Sequence, residues 1–188
     1  MNAEPTNLGN VFLIGYRCTG KSSVGSLLSA KLGWPFIDTD SLLVSGSGRS
    51  IKEIVETDGW ETFRKMEHAL VEQVCAQDQR VVATGGGVVL DAANVELMKK
   101  SGRLVWLRAK PETIKNRMMQ DLDTDAFRPA LTSKDSIAEI EETLLERESY
   151  YRRAMDFHVH TDSLGLDAIV NSIIENLFLQ FSKCNLQP

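Results

Sequence analysis

Gly15-Tyr16-Arg17-Cys18-Thr19-Gly20-Lys21-Ser22 fits the pattern G-x-x-x-x-G-K-[ST] at every specified position. Its setting constrains the fold as much as the match does. Val11-Phe12-Leu13-Ile14, just before it, is a short apolar run ended by a glycine, as expected of a strand buried on both faces. After it, Val24, Leu27, Leu28 and Leu32 recur at helical spacing, and Gly33 supplies a stop. A buried strand, a glycine-bounded turn and a helix opening on Lys-Ser form a phosphate-binding arrangement. Backbone N–H groups of such a loop converge on anionic oxygens, and the helix N-terminus favours the same charge. Lys21 reaches the β- and γ-phosphates of a nucleotide as a point charge, and the Ser22 hydroxyl can ligate Mg²⁺. Nucleotide binding follows from this. The reaction does not, because switch GTPases, motor ATPases and kinases all share the loop.

The rest of the chain alternates strand and helix signals. Further strands are expected at Trp34–Ile37, Val81–Thr84, Leu104–Leu107 and Phe157–Thr161. Ser50-Ile51-Lys52-Glu53 is a capping box opening a short helix to Asp58. Gly59 breaks it, and Trp60, Phe63, Glu67, Leu70, Val71 and Val74 mark one face of a longer helix. Helices are also expected over Ala92–Lys100, from Pro111 to Met119, from the Ser136–Glu139 capping box to Ala154, and through Leu166–Leu177. This alternation predicts an α/β sandwich with a parallel sheet. The 188 residues suit one domain, with an N-terminal tail over 1–9, a polar lid loop over 120–135 and a C-terminal tail over 180–188.

Bulk properties remove several classes. A net charge of −5 lacks the basic excess of a nucleic-acid binder. The apolar runs are too short to span a membrane, and no signal peptide is visible. Cys18, Cys75 and Cys184 are scattered and odd in number, which fits neither a disulfide framework nor a zinc site and predicts a reducing, cytoplasmic setting. His158 and His160 alternate on one strand with no third ligand nearby, and read as strand residues. A monomer with no nucleic-acid and no membrane partner is the expectation.

Other residues admit two readings each. Asp38 and Asp40 end the second strand and project to one side, toward the end of an α/β sheet where ligands bind. One could hold Mg²⁺ and the other could accept a substrate hydroxyl's proton; alternatively, either simply caps the next helix. Arg64 can pair with Glu67 on a helix surface or grip a substrate carboxylate in a fork. Gly85-Gly86-Gly87 permits positive φ and close backbone approach to a ligand, beyond what a simple turn needs. Arg128-Pro129 lies in the lid loop, from which an arginine can close over a transferring phosphate. Arg147 sits in a charged region that reads equally well as a solvated helix face.

Taken in order, the phosphate loop, Asp38-x-Asp40, Phe63-Arg64-x-x-Glu67, Gly85-Gly86-Gly87, Arg128-Pro129 and Arg147-x-x-x-Tyr151 resemble the shikimate kinase family, from about Asn10 to Asp162. The resemblance implies a three-layer α/β sandwich around a five-stranded parallel sheet of the P-loop, nucleoside-monophosphate-kinase type, with a lid and substrate-binding helices. It implies transfer of the ATP γ-phosphate to the 3-hydroxyl of shikimate, toward chorismate and the aromatic amino acids. By position, it implies that Gly15, Cys18, Thr19, Gly20, Lys21, Ser22 and Ser23 hold ATP, with Ser22 and Asp38 on Mg²⁺. Asp40 is then the base and hydroxyl partner, and Arg64 and Arg147 bind the shikimate carboxylate. Gly86, within Gly85 to Gly87, gives a backbone contact to substrate, Arg128 closes on the phosphates, and Arg117 packs beside adenine. Catalysis would rest on Asp40, Lys21 and Arg128. Four positions depart from the family's habit: Cys18 replaces a glycine, Ser23 a threonine, Val55 an aromatic residue and Trp60 an acidic one. The rival readings are gluconate kinase or nucleoside-monophosphate kinase, and a non-catalytic ATP-binding regulatory module. A guanine-reading N-K-x-D element is missing from the sequence.

Overall fold

The computed structural model describes residues 9–120 and 137–184. The tail expected over 1–9 and the lid loop over 120–135, with Arg128, lie outside them except for Gly9 and Gln120. Strands β1 (Asn10–Ile14), β2 (Phe36–Asp38), β3 (Val81–Ala83), β4 (Gly102–Arg108) and β5 (Phe157–His160) form one sheet in the order β2-β3-β1-β4-β5. Every neighbouring pair is parallel. The helices among the described residues are α1 (Lys21–Leu32), α2 (Thr39–Ser47), α3 (Ile51–Cys75), α4 (Ala92–Ser101), α5 (Pro111–Gln120), α6 (Ile137–Ala154) and α7 (Leu166–Cys184). None is long and apolar enough to cross a membrane.

The unbroken apolar run of β1 is explained by helices on both faces. Val11 and Leu13 pack with Val24 and Leu28 of α1 and with Ile169, Val170, Ile173 and Leu177 of α7. Phe12 and Ile14 point the other way, to Val71 and Val74 of α3, Met98 of α4 and Tyr151 of α6. A third cluster, Leu43, Ile51, Ile54 and Phe63, joins α2 to α3 beside the sheet's carboxyl edge.

The strand order positions the site. From β1 the chain runs out to the edge strand β2, returns as β3 beside β1, and then crosses to β4. Neighbours β1 and β3 therefore send their following connections in opposite directions, which opens a crevice beyond their carboxyl ends. Leu13 pairs with Ala83, so the two strands end level with each other. Thr84 sews the ends together, its N–H and hydroxyl both donating to the Leu13 carbonyl at 3.2 and 3.0 Å. The loops starting at Gly15 and Gly85 are thus brought face to face.

Local signals set the helix boundaries. Gly33 caps α1 at φ 68°. Ser50 and Glu53 complete the capping box of α3, with N···O distances of 2.7 and 3.1 Å. The break expected at Gly59 is present: its backbone (φ 83°, ψ 165°) is not helical, and two helical segments meet there at a kink within α3. At the C-terminus the expectation needs correcting, since α7 runs on to Cys184 rather than giving way to a tail at 180. Nothing from Gln180 to Cys184 is a glycine or proline, and a helix already nucleated extends through such residues at little cost.

Candidate active site

The phosphate loop turns sharply between β1 and α1. Gly15 (φ 143°), Cys18 (φ 58°) and Gly20 (φ 94°) carry the left-handed backbone that folds it. The Thr19 hydroxyl donates to the Tyr16 carbonyl at 2.8 Å and closes the turn. Lys21 is buried, and its ammonium donates to the Gly15 and Tyr16 carbonyls, both at 2.8 Å. Ser22 and Ser23 lie exposed in the first turn of α1, at its positive end.

Ser22 and Asp38 meet directly: the hydroxyl donates to one carboxylate oxygen at 2.6 Å. The other oxygen of Asp38 accepts from the Ser41 N–H at 3.1 Å and so caps α2. The capping reading of Asp38 therefore holds, and its second oxygen is engaged by Ser22. A hydroxyl and a carboxylate at the mouth of a phosphate loop are the oxygen donors that suit Mg²⁺, which otherwise keeps water and phosphate ligands.

Arg117 of α5 reaches back across the loop. It donates to the Cys18 carbonyl at 3.2 Å, to the Thr161 hydroxyl at 3.0 Å and to the Thr161 carbonyl at 2.5 Å. The Thr161 hydroxyl in turn donates to the Thr19 carbonyl at 3.1 Å. The nucleotide loop is thereby tied to the end of β5. Thr161 gave no signal in the sequence beyond ending a strand, because its role depends on a contact 142 positions away.

Beside the loop opens a cleft to which Asp40, Arg64, Gly85, Gly86, Gly87 and Arg147 all contribute. The six residues singled out on the acceptor side are thus brought to one place. Arg128 lies outside the described residues.

Arg64 is held on three sides. Glu67 accepts from it at 2.5 Å, and the rings of Trp60 and Phe63 lie 5.5 and 5.1 Å from its guanidinium carbon. Its nitrogens also rest on bare Gly87, where a Cβ would overlap them. Glu67 is almost fully buried, at 4% side-chain exposure. Burial pushes its carboxyl above the ordinary range, and the Arg64 charge pulls it back in part. The i,i+3 pair expected from the sequence exists, but it faces the cleft rather than solvent.

The triple glycine works through space. None of Gly85, Gly86 and Gly87 has a positive φ, so the left-handed freedom expected for them is not what the loop uses. A Cβ on Gly85 would stand 2.8 Å from an oxygen of Asp40 and 2.8 Å from one of Glu67. Gly86 offers its carbonyl to the Tyr151 hydroxyl at 2.6 Å and to Arg147 at 3.5 Å. Of the departures noted above, Val55 packs into the α2–α3 cluster, whereas Trp60 lines the cleft. Arg17 also lines it. As one of the variable positions of the loop motif, it carried no signal in the sequence.

Comparison with known proteins agrees with this arrangement. The shikimate kinase family profile matches residues 17–178. A shikimate kinase of Moorella thermoacetica is 39% identical over 90% of this chain and 94% of its own length. One of Symbiobacterium thermophilum is 37% identical over 89% and 95%. The structure of the Acinetobacter baumannii shikimate kinase in complex with shikimate superposes with a TM-score of 0.85 at 27% identity, covering 92% of this chain and 94% of that one. With the family profile spanning most of the sequence, and with the loop, the paired aspartates and the arginine-lined cleft in one crevice, this chain belongs to the shikimate kinase family.

Proposed function

We infer that this chain is a shikimate kinase, transferring the γ-phosphoryl group of ATP to the 3-hydroxyl of shikimate to give shikimate 3-phosphate and ADP, a step in chorismate and aromatic amino acid biosynthesis. The observation that carries this is the shared crevice: a phosphate loop opens onto a cleft holding Asp40, Arg64 and Arg147. A hydroxylated carboxylate fits such a wall. Paired guanidinium groups favour its carboxylate by forked hydrogen bonding, which a nucleotide base would not exploit.

Division of labour follows from position. Lys21 and the loop N–H groups receive the triphosphate, and Arg117 packs beside the adenine. Ser22 and Asp38 would hold Mg²⁺, which when bound offsets phosphate charge. Arg64 and Arg147 hold the acceptor's carboxylate, and the Gly86 backbone meets its ring. Asp40 accepts a hydrogen bond from the reacting hydroxyl and takes its proton as the phosphoryl group transfers in line. Orientation supplies much of the rate in such a reaction, and the rigid bracket around Arg64 is where this chain provides it. Arg128 neutralises charge on the transferring group from the lid. The enzyme acts as a monomer in the cytoplasm, consistent with its scattered cysteines.

A coupled ADP-release assay with Mg·ATP tests this reading, with shikimate, gluconate and AMP offered separately. Shikimate alone is expected to stimulate release. No stimulation by shikimate, or a stronger response to either alternative, would overturn the assignment.

A further inference from the structure

We propose that Arg17 is a product-side phosphate contact: the phosphate loop carries one cation for the donor and a second for the phosphoryl group once it sits on the acceptor. The proposal rests on the kinase reading above. Lys21 points into its own loop, on the Gly15 and Tyr16 carbonyls, and does not line the acceptor cleft. Arg17, four residues earlier in the same loop, does line it. Its backbone N lies 3.4 Å from where a Cβ on Gly86 would stand, which sets it against the acceptor wall. Its guanidinium carbon is 5.9 Å from the Tyr16 ring centroid, and that of Arg147 is 6.0 Å from the same ring. Two cations thus flank one tyrosine beside the Gly86 carbonyl. Arg17 is only 8% exposed, and a guanidinium held that far from water interacts strongly with an anion brought to it.

Charge decides which anion. The cleft is lined by three guanidinium groups, Arg17, Arg64 and Arg147, and by two carboxylates, Asp40 and Glu67. An acceptor with one carboxylate already has two forks, Arg64 and Arg147, on the cleft wall. Phosphorylation adds between one and two further negative charges at neutral pH. These arrive from the loop side, where Arg17 stands. Arg17 is therefore expected to discriminate the phosphorylated product from the acceptor.

Calorimetric titration of the full chain with shikimate and, separately, with shikimate 3-phosphate tests this in the wild type, Arg17→Met and Arg17→Lys. Loss of one charge-assisted contact weakens product binding roughly 10- to 100-fold in Arg17→Met. Acceptor binding moves by less than about threefold, and Arg17→Lys falls between wild type and Arg17→Met for product. Equal losses for both ligands, or no loss for either, overturn the proposal. Should Arg17→Met not fold, the product-to-acceptor ratio in Arg17→Lys decides in the same way. A wild type that binds neither ligand removes the kinase reading and this proposal together, whereas normal wild-type binding with an unmoved ratio removes Arg17 alone.

Discussion

The Tyr151 hydroxyl donates to the Gly86 carbonyl at 2.6 Å, fastening α6 to the loop after β3. Tyr151 is wholly buried, and its ring stacks on Trp106 at 5.3 Å. Burial holds its hydroxyl well above the usual tyrosine range, so it remains a donor at every pH where the enzyme works. Tyr151→Phe keeps the stack and leaves Gly86 only the 3.5 Å contact from Arg147. The loss is about 1–2 kcal/mol of stability, together with a raised KM for shikimate and an unchanged KM for ATP. Urea denaturation and steady-state kinetics measure the two effects. An unaltered unfolding midpoint would show that the bond contributes nothing.

Gly87 is required for room. Its φ is −105°, open to any residue, but a methyl group there meets the Arg64 guanidinium. Gly87→Ala should displace that guanidinium by a fraction of an ångström and raise the KM for shikimate by about tenfold or more, since small misplacements of positioning groups are costly. The KM for ATP should stay put. If both constants rise together, the loop as a whole has moved and the clash with Arg64 is not the cause.

How much of this was legible in the sequence depended on the range of the interactions. The phosphate loop, the Ser50–Glu53 capping box and the Gly33 stop are local devices, each readable within a few residues, and each lies where the pattern put it. The insertion of β3 between β1 and β2 is set by pairings among distant strands, which leave no mark on any one segment. The same holds for Glu67. Its spacing from Arg64 announced a pair, but that the pair faces a cleft at 4% exposure depends on α3 packing beside Gly85 and Gly87. Trp60 could be seen as a family departure, but its stacking over Arg64 could not.

Cys18 sits at φ 58°, where a side chain costs roughly 1–2 kcal/mol. Its carbonyl is fixed by Arg117 at 3.2 Å, so the loop cannot easily relax. Cys18→Gly should relieve the strain and, after the extra entropy that glycine loses on folding, raise stability by about 0.5–1 kcal/mol. Cys18→Val should lower it by more, because a β-branched residue tolerates this conformation least. Calorimetric melting of the three proteins gives the ranking, and a valine variant as stable as the glycine one would remove the claim of strain.

Asp38 does two jobs, and Asn can take over only one. Its carboxylate caps α2 through the Ser41 N–H and accepts from Ser22. Asparagine caps a helix about as well as aspartate, so Asp38→Asn should melt within a few degrees of the wild type. Loss of the charge should raise the Mg²⁺ concentration needed for half-maximal activity by roughly an order of magnitude. Titrating activity against Mg²⁺ at saturating ATP reads this directly. An unshifted Mg²⁺ curve would leave Asp38 as a cap and nothing more.

Glu67 joins stability to substrate binding in opposite senses. Burial raises its carboxyl above the ordinary 4.5, despite Arg64. In the unfolded chain it ionises at the ordinary value, while in the folded chain it keeps its proton to higher pH. The folded state therefore binds more protons between those two values, and stability falls as pH rises through that window. Glu67's contribution is complete below its unfolded pKa and is lost as pH passes its folded one. Glu67→Gln cannot ionise and removes this dependence, so its stability relative to wild type should climb from about pH 4 to pH 7. Above that window, where the wild-type carboxyl is ionised, the variant should bind shikimate more weakly, because Arg64 loses the charge that fixes its fork. Denaturation curves at several pH values, paired with KM for shikimate at neutral pH, separate the two effects. A wild-type advantage in stability that grows with pH would mean that the Arg64 attraction outweighs burial, reversing the assigned direction of the shift.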